Sequence, residues 1–271
     1  MNRLLLILEA FRLDRPVVSL KGLMLELGVS RATVYRDLQQ LEEGGYIDRL
    51  GQGYVLGPRI LQMERQFRHA DPLLLAAREL CDGLARDSDG AVLLCRLHQH
   101  TAVCIYDISR SGERMPLGYE RGRATTLCRG ATSKVILSHM SRRSLEALIG
   151  EHPDAVTSEG LPTDSAELYR MLSPVREAGY VIARGDIDES MVELAVPLMT
   201  GKRLLGSLTV ALTDSRATAT AEARALNLLR SIGRRIEARM ETVISRASNM
   251  GESRSNEPED VSRQRQLLYI G

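Results

Sequence analysis

Between Ser19 and Gly57 the chain alternates helical periodicity and punctuation in a way that leaves few folds open. Ser19 can cap a helix through its hydroxyl, Leu20, Leu23 and Leu27 supply a buried stripe, and Gly28 offers a left-handed stop. Ser30 is a second N-cap, and Val34, Leu38 and Leu41, at i, i+4 and i+7, must face a core before Gly44-Gly45 ends the run. A short helix, a Gly-containing turn and a longer helix make a helix-turn-helix. Leu4, Leu5, Leu8 and Phe11 add an amphipathic helix in front, ended by Asp14-Arg15-Pro16. Tyr46 to Leu50, the turn Gly51-Gln52-Gly53, and Tyr54 to Leu56 read as strand, turn and strand, which is a wing.

With Val34, Leu38 and Leu41 inward, Arg31, Thr33, Tyr35, Arg36 and Gln40 fall on exposed or flanking positions of the second helix. Together with Ser30 at its start, these residue types bond phosphates and base edges, and the N-terminal part of a recognition helix is what reaches the major groove. Arg31 and Arg36 each suit a guanine reader or a phosphate clamp. Arg49, beside the wing turn, suits a backbone or minor-groove contact.

Composition narrows the partners. Thirty-six basic against thirty-five acidic residues leave a net charge of +1, so a case for DNA must rest on local arrangement. Residues 1–70 hold ten Lys and Arg against eight acids, a slight excess of the right sign. No Trp and two Phe argue against stacking of unpaired bases. Apolar runs such as Leu4 to Leu8 fall far short of a bilayer span, and the start has neither a long apolar core nor a small-residue cleavage site, so a cytoplasmic, non-membrane protein is expected. Cys81, Cys95, Cys104 and Cys128 form no C-x-x-C pair and read as buried hydrophobes rather than a disulfide or zinc framework.

Gly57-Pro58 and Asp71-Pro72 bracket a short helix, giving a head (1–58), a linker helix (59–71) and a body (72–249). The polar stretch 250–271 is expected to be a flexible tail whose apolar end, Leu267 to Ile270, has somewhere to dock. In the body, Leu73 to Arg86 reads as a covering helix, and Ala91 to Leu97 and Thr101 to Ile108 as a hairpin about His98-Gln99-His100. Gly130 to Met140 and Ser141 to Ile149 read helical. Asp164 with Glu167 starts a helix over Ser165 to Ala178, stopped by Gly179. Tyr180 to Ala183, Met191 to Met199 and Arg203 to Leu212 read as strands, the last two antiparallel, and a long helix carries Ala225, Leu229, Ile232, Ile236, Met240 and Val243. Helices around an antiparallel sheet give an α+β body.

The winged head, Gly45-Tyr46-Ile47 and Tyr54-Val55-Leu56-Gly57 about the wing, Gly179-Tyr180, and Leu194-Ala195-Val196-Pro197-Leu198 together resemble the IclR family of bacterial transcriptional regulators, over nearly the whole chain to about Val243. The resemblance implies a winged helix-turn-helix, a linker helix and a C-terminal GAF-like domain with an antiparallel sheet. It also implies a small, carboxylate-bearing metabolite as effector, a homodimer or tetramer, and a double-stranded operator, with no cofactor. The family often has Leu-His-Ala-Thr-Ala-x-Gly-Lys where this chain has Leu127-Cys128-Arg129-Gly130-Ala131-Thr132-Ser133-Lys134. By similarity, Leu127, Cys128, Arg129, Ala131 and Thr132 lie at the effector pocket, at a helix start able to hold a carboxylate, and Thr209 matches a pocket Ser. Asp186 and Glu193 stand near the same place, with Asp188 close by. Carboxylates beside an anion site suggest an altered ligand carrying a donor or a cation, or side chains that point elsewhere.

Sharper chemistry has blander counterparts. Gly130 to Lys134 lacks full phosphate-loop spacing. His98 and His100 read as solvated side chains of a hairpin turn rather than as metal ligands with Cys95 or Cys104. Cys128 reads as a packed hydrophobe, with a ligand contact, a metal ligand beside Asp186 or Glu193, and a redox thiol beside Arg129 as alternatives. The arginines at 224, 230, 234, 235 and 239 are interleaved with acids and read as a solvated or subunit-facing surface. No nucleophile with base, hydrolase elbow or paired-carboxylate motif is present, so no catalytic residue is assigned. Two functions follow: a ligand-controlled, sequence-specific DNA-binding transcriptional regulator, or a sensor or enzyme whose head is a protein-interaction module.

Overall fold

The computed structural model describes residues 2–109 and 120–255, and the chain divides into two compact units at Asp71/Pro72. The first holds α1 (Arg3–Glu9), β1 (Val18–Ser19), α2 (Leu20–Leu27), α3 (Arg31–Glu43), β2 (Ile47–Leu50), β3 (Gly53–Leu56) and α4 (Pro58–Ala70). Ser19 and Ser30 act as the caps their sequence positions predict, accepting from Gly22 N and Thr33 N, and Gly28 ends α2 in the left-handed region. Ile7, Leu23, Val34, Leu38, Leu41 and Ile47 close one small core. The wing is a three-stranded sheet ordered β1-β3-β2, with Val18 opposite Tyr54. Strand β1 was not expected, because two residues are too few to show a period.

The second unit holds α5 (Pro72–Ser88), β4 (Ala91–His98), β5 (Thr101–Ser109), β6 (Ala124–Thr126), α6 (Gly130–His139), α7 (Arg142–Glu151), α8 (Pro153–Ser158), α9 (Ser165–Met171), α10 (Ser173–Ala178), β7 (Val181–Arg184), β8 (Met191–Thr200), β9 (Arg203–Thr213) and α11 (Ala219–Ser255). Its sheet is ordered β6-β5-β4-β9-β8-β7, and every neighbouring pair is antiparallel. Alternation along β4, β8 and β9 sends Leu94, Leu194 and Leu208 to α5 and α11 on one face. Leu93, Ala195 and Ala211 go to the other face, where α6, α7 and α9 lie. This is the expected α+β architecture, a sheet between two helical layers.

The structure corrects and extends several expectations. The helix over Ser165 to Ala178 is two helices, since Pro174 has no N–H to bond back and α10 begins anew at Ser173. Strand β6 and helix α8 were unforeseen, each being shorter than a periodic signal requires. His100 is not merely solvated, because its Nδ1 lies 2.7 Å from Glu151 Oε2. Helix α11 runs on to Ser255, into the stretch expected as a tail; the rest of that stretch, including Leu267 to Ile270, lies outside the described residues.

Candidate DNA-binding helix and effector pocket

Helix α3 presents Arg31, Tyr35, Arg36 and Gln40 to solvent, with Tyr35 53% exposed and Thr33 half-buried. Ser30 is engaged within the chain: its hydroxyl accepts from Thr33 N at 3.3 Å and lies 2.8 Å from Thr33 Oγ1. That cap fixes the start of α3 and leaves Ser30 a positioning residue. Arg49 is exposed on β2, opposite Tyr54. Asp37 is buried on the opposite side of the helix and paired with Arg3 through Nε at 2.5 Å and Nη2 at 3.2 Å. The Arg3 bond holds the Asp37 carboxyl below its ordinary range. The pair ties α1 to the inner face of α3, so the outer face is left to Arg31, Tyr35, Arg36 and Gln40.

The second cluster forms where α6 begins over β8 and β9. Gly130, at φ 81°, adopts a conformation other residues avoid and turns the chain into α6. The N–H of Ala131, in the first turn of α6, then donates to Glu193 Oε2 at 2.9 Å, deep in the unit. Thr132 Oγ1 lies 2.7 Å from Thr209 Oγ1, and Lys134 Nζ bonds Asp186 Oδ2. Leu127, Cys128, Ala131, Thr132, Glu193 and Thr209 are all buried. Glu193 Oε1 is buried there without a hydrogen-bond partner, and so, elsewhere in the same unit, are Ser133 Oγ and Ser207 Oγ. Burial pushes the Glu193 carboxyl above its ordinary range, with the Ala131 N–H pulling back, Asp186 pushing further up and Lys134 drawing it down.

The structure thus brings Ala131, Thr132, Glu193 and Thr209 together and sends others away. Arg129 is exposed, its Nε 4.0 Å from Glu159. Asp188 caps a turn, accepting from Ser190 N at 2.8 Å. Burial, with Glu159 nearby, pushes the Cys128 thiol up, so this cysteine favours the thiol over the thiolate a redox sensor needs. Among the described residues no group of three His, Cys, Asp or Glu is placed to hold a metal. Lys134, which was not expected in the cluster, joins it through Asp186. For Glu193 a signal was there: a lone charge in the otherwise apolar run Met191 to Met199.

A pH dependence follows. A carboxyl whose folded pKa is raised contributes its full share below the unfolded pKa and loses it as pH rises through the folded value. Replacing Glu193 by Gln should therefore raise the melting temperature at neutral pH, and the advantage should vanish in acid. Calorimetry of both proteins between about pH 4 and 8 checks this; a constant difference at all pH values would contradict it.

Among the described residues no helix is long and apolar enough to cross a membrane. The family described as "Bacterial transcriptional regulator IclR C-terminal" matches residues 68–238, and an "HTH domain" family matches residues 3–55. The HTH-type transcriptional regulator TtgV of Pseudomonas putida is 28% identical over 231 residues, covering 80% of this chain and 85% of its own. The crystal structure of a putative IclR transcriptional regulator from Silicibacter sp. TM1040 superposes with TM-score 0.73 at 23% identity, over 88% of this chain and 95% of its own. That of an IclR homolog from Microbacterium hydrocarbonoxydans complexed with 4-hydroxybenzoate gives TM-score 0.69 at 18% identity, over 89% and 98%. Likeness at that identity carries the fold, and the family match carries the rest. The chain belongs to the IclR family of bacterial transcriptional regulators and is a DNA-binding transcriptional regulator rather than an enzyme.

Proposed function

We propose that α3 is the recognition helix, and the hairpin of β2 and β3 the wing, of a DNA-binding head (1–58) joined by a linker helix (59–71) to an effector-binding and oligomerisation domain (72–249). Arg31, Thr33, Tyr35, Arg36, Gln40 and Arg49 make up the DNA face, and Ser30, the cap of α3, positions it. The observation that carries this reading is the division of labour on α3: Val34, Asp37, Leu38 and Leu41 are buried while Arg31, Tyr35, Arg36 and Gln40 face solvent. The working form is a homodimer or tetramer acting in the cytoplasm. In support, α4 buries none of its residues, and Ile60, Met63 and Phe67, at i, i+3 and i+7, form an apolar stripe with Met63 45% and Phe67 39% exposed. Two heads would then meet two half-sites about one helical turn apart or a multiple of it.

The effector is a small, carboxylate-bearing metabolite held at the start of α6 by Leu127, Cys128, Ala131, Thr132, Glu193 and Thr209, with Arg129 and Asp186 at the margin. The relative crystallised with 4-hydroxybenzoate supports that class. The test is fluorescence anisotropy of the full-length protein with DNA from upstream of its own gene against scrambled DNA. Selective, saturable binding is expected; equal binding to both, or none at low salt, would sink the reading. Arg31→Ala and Arg36→Ala separate roles. A base reader should lose about 1 to 3 kcal/mol and relax specificity at one operator position, whereas a phosphate clamp should weaken all sequences alike.

A further inference from the structure

At the start of α6 the position a ligand's anion would take is already filled. Glu193 enters from β8 and accepts the Ala131 N–H at 2.9 Å, as a bound carboxylate would. The residue is 2% exposed, yet only Oε2 is engaged, and Oε1 has no partner. A buried carboxylate with one oxygen unsatisfied is costly and calls for a donor. Lys134, the nearest cation of α6, is bonded to Asp186 instead. Two further polar atoms are buried on the same side of the sheet. Ser207 projects from β9 to the face shared with Thr209, and its Oγ is fully buried and unpartnered; Ser133 Oγ on α6 is the same. The floor beneath them is of small side chains, Cys95, Ala102, Cys104 and Ala195.

We propose that Glu193 is a tethered carboxylate filling the anion position at the α6 N-terminus, so that this pocket recognises in its ligand a hydrogen-bond donor, an ammonium or hydroxyl, bound to Glu193 Oε1. This rests on the reading of the α6 start as the effector pocket and adds to it. A ligand that also bears a carboxylate places that group away from Ala131 N. Glu193 is then a specificity-determining residue, and the side chain at position 193 sets the charge the pocket favours.

Acetate and ethylammonium, added to the full-length protein at ionic strength matched with sodium chloride, test this by melting temperature. In the wild type, ethylammonium should stabilise and acetate should not. In Glu193→Ala the vacated N–H should take acetate, and the preference should reverse. At about tenfold above its Kd a probe multiplies the folding equilibrium constant roughly 11-fold, a rise of a few degrees. Glu193→Gln keeps the shape should the alanine variant fail to fold; its amide can still accept from Ala131 N while offering N–H groups where Oε1 stood, so it should lose the ethylammonium response and gain one to acetate. Acetate stabilising the wild type as much as the variants would overturn the proposal, as would ethylammonium acting equally on wild type and Glu193→Gln, or neither variant responding to acetate. No DNA is needed, so the outcomes separate: exchange at position 193 without any ligand effect on operator binding would defeat the effector reading and leave this assignment standing.

Discussion

Raising the salt from about 50 to about 200 mM is expected to weaken operator binding about 1,000-fold, because the cations of α3 and the wing displace condensed counterions from phosphate. Three side chains per head set that magnitude: Arg31 and Arg36 on the exposed face of α3, and Arg49 on the exposed strand β2. Two heads on one operator bring about six cations, which gives a slope of log K against log salt near −5. With a net charge of only +1, little long-range attraction is available from the rest of the molecule, and the dependence should come almost wholly from these arginines. Anisotropy titrations at four or five salt concentrations measure the slope. Arg49→Ala should lower its magnitude by about two, since each head then neutralises one phosphate fewer. A slope near −2 would mean that a single head binds or that Arg31, Arg36 and Arg49 do not reach the backbone together.

What could be read from the chain alone divides by sequence separation. The helix-turn-helix was legible because its signals are local: Ser19 and Ser30 cap within three residues, and Gly28 stops α2 beside the leucines it follows. The wing's two longer strands were legible for the same reason, whereas β1 pairs with β3 across 33 intervening residues and spans two positions, leaving no pattern to find. The burial of Asp37 was not legible, because its partner, Arg3, belongs to another helix, 34 positions away. The pocket was half legible. Resemblance pointed to Ala131, Thr132 and Thr209, and composition marked Glu193 as out of place in its strand. That Glu193 bonds the Ala131 N–H, 62 residues away, depends on β8 lying under α6, which no local rule supplies. Arg129 was expected in the pocket from its position next to Gly130, but as the cap of α6 it turns outward to Glu159.

Gly206→Ala is expected to destabilise the second unit by about 4 kcal/mol, through overpacking and a backbone conformation that only glycine holds comfortably. Gly206 lies in β9, between Arg96 of β4 and Leu198 of β8, at the middle of the sheet. A methyl group there would sit 1.9 Å from the Cys95 carbonyl oxygen and 2.9 Å from the Arg96 Cα, and both are backbone atoms that cannot rotate aside. Its φ of 157° adds strain for any side chain. Gly201→Ala is the control: its φ of 56° is also unfavourable, but nothing lies within 4 Å of the added carbon. It should lose only about 1 to 2 kcal/mol. In a unit of this size the difference becomes a fall of about 10 °C in melting temperature for Gly206→Ala against a few degrees for Gly201→Ala. Calorimetry resolves this, and a Gly206→Ala protein melting with the control would show that β4 and β9 part at little cost. The consequence reaches the pocket because Cys95 and Ser207, the residues beside the clash, carry the floor beneath α6. Spreading β4 from β9 there should loosen Thr209 from Thr132 and blunt the response to ligand. The head, with a core of its own built on Val34, Leu38 and Ile47, should keep its fold and its affinity for DNA.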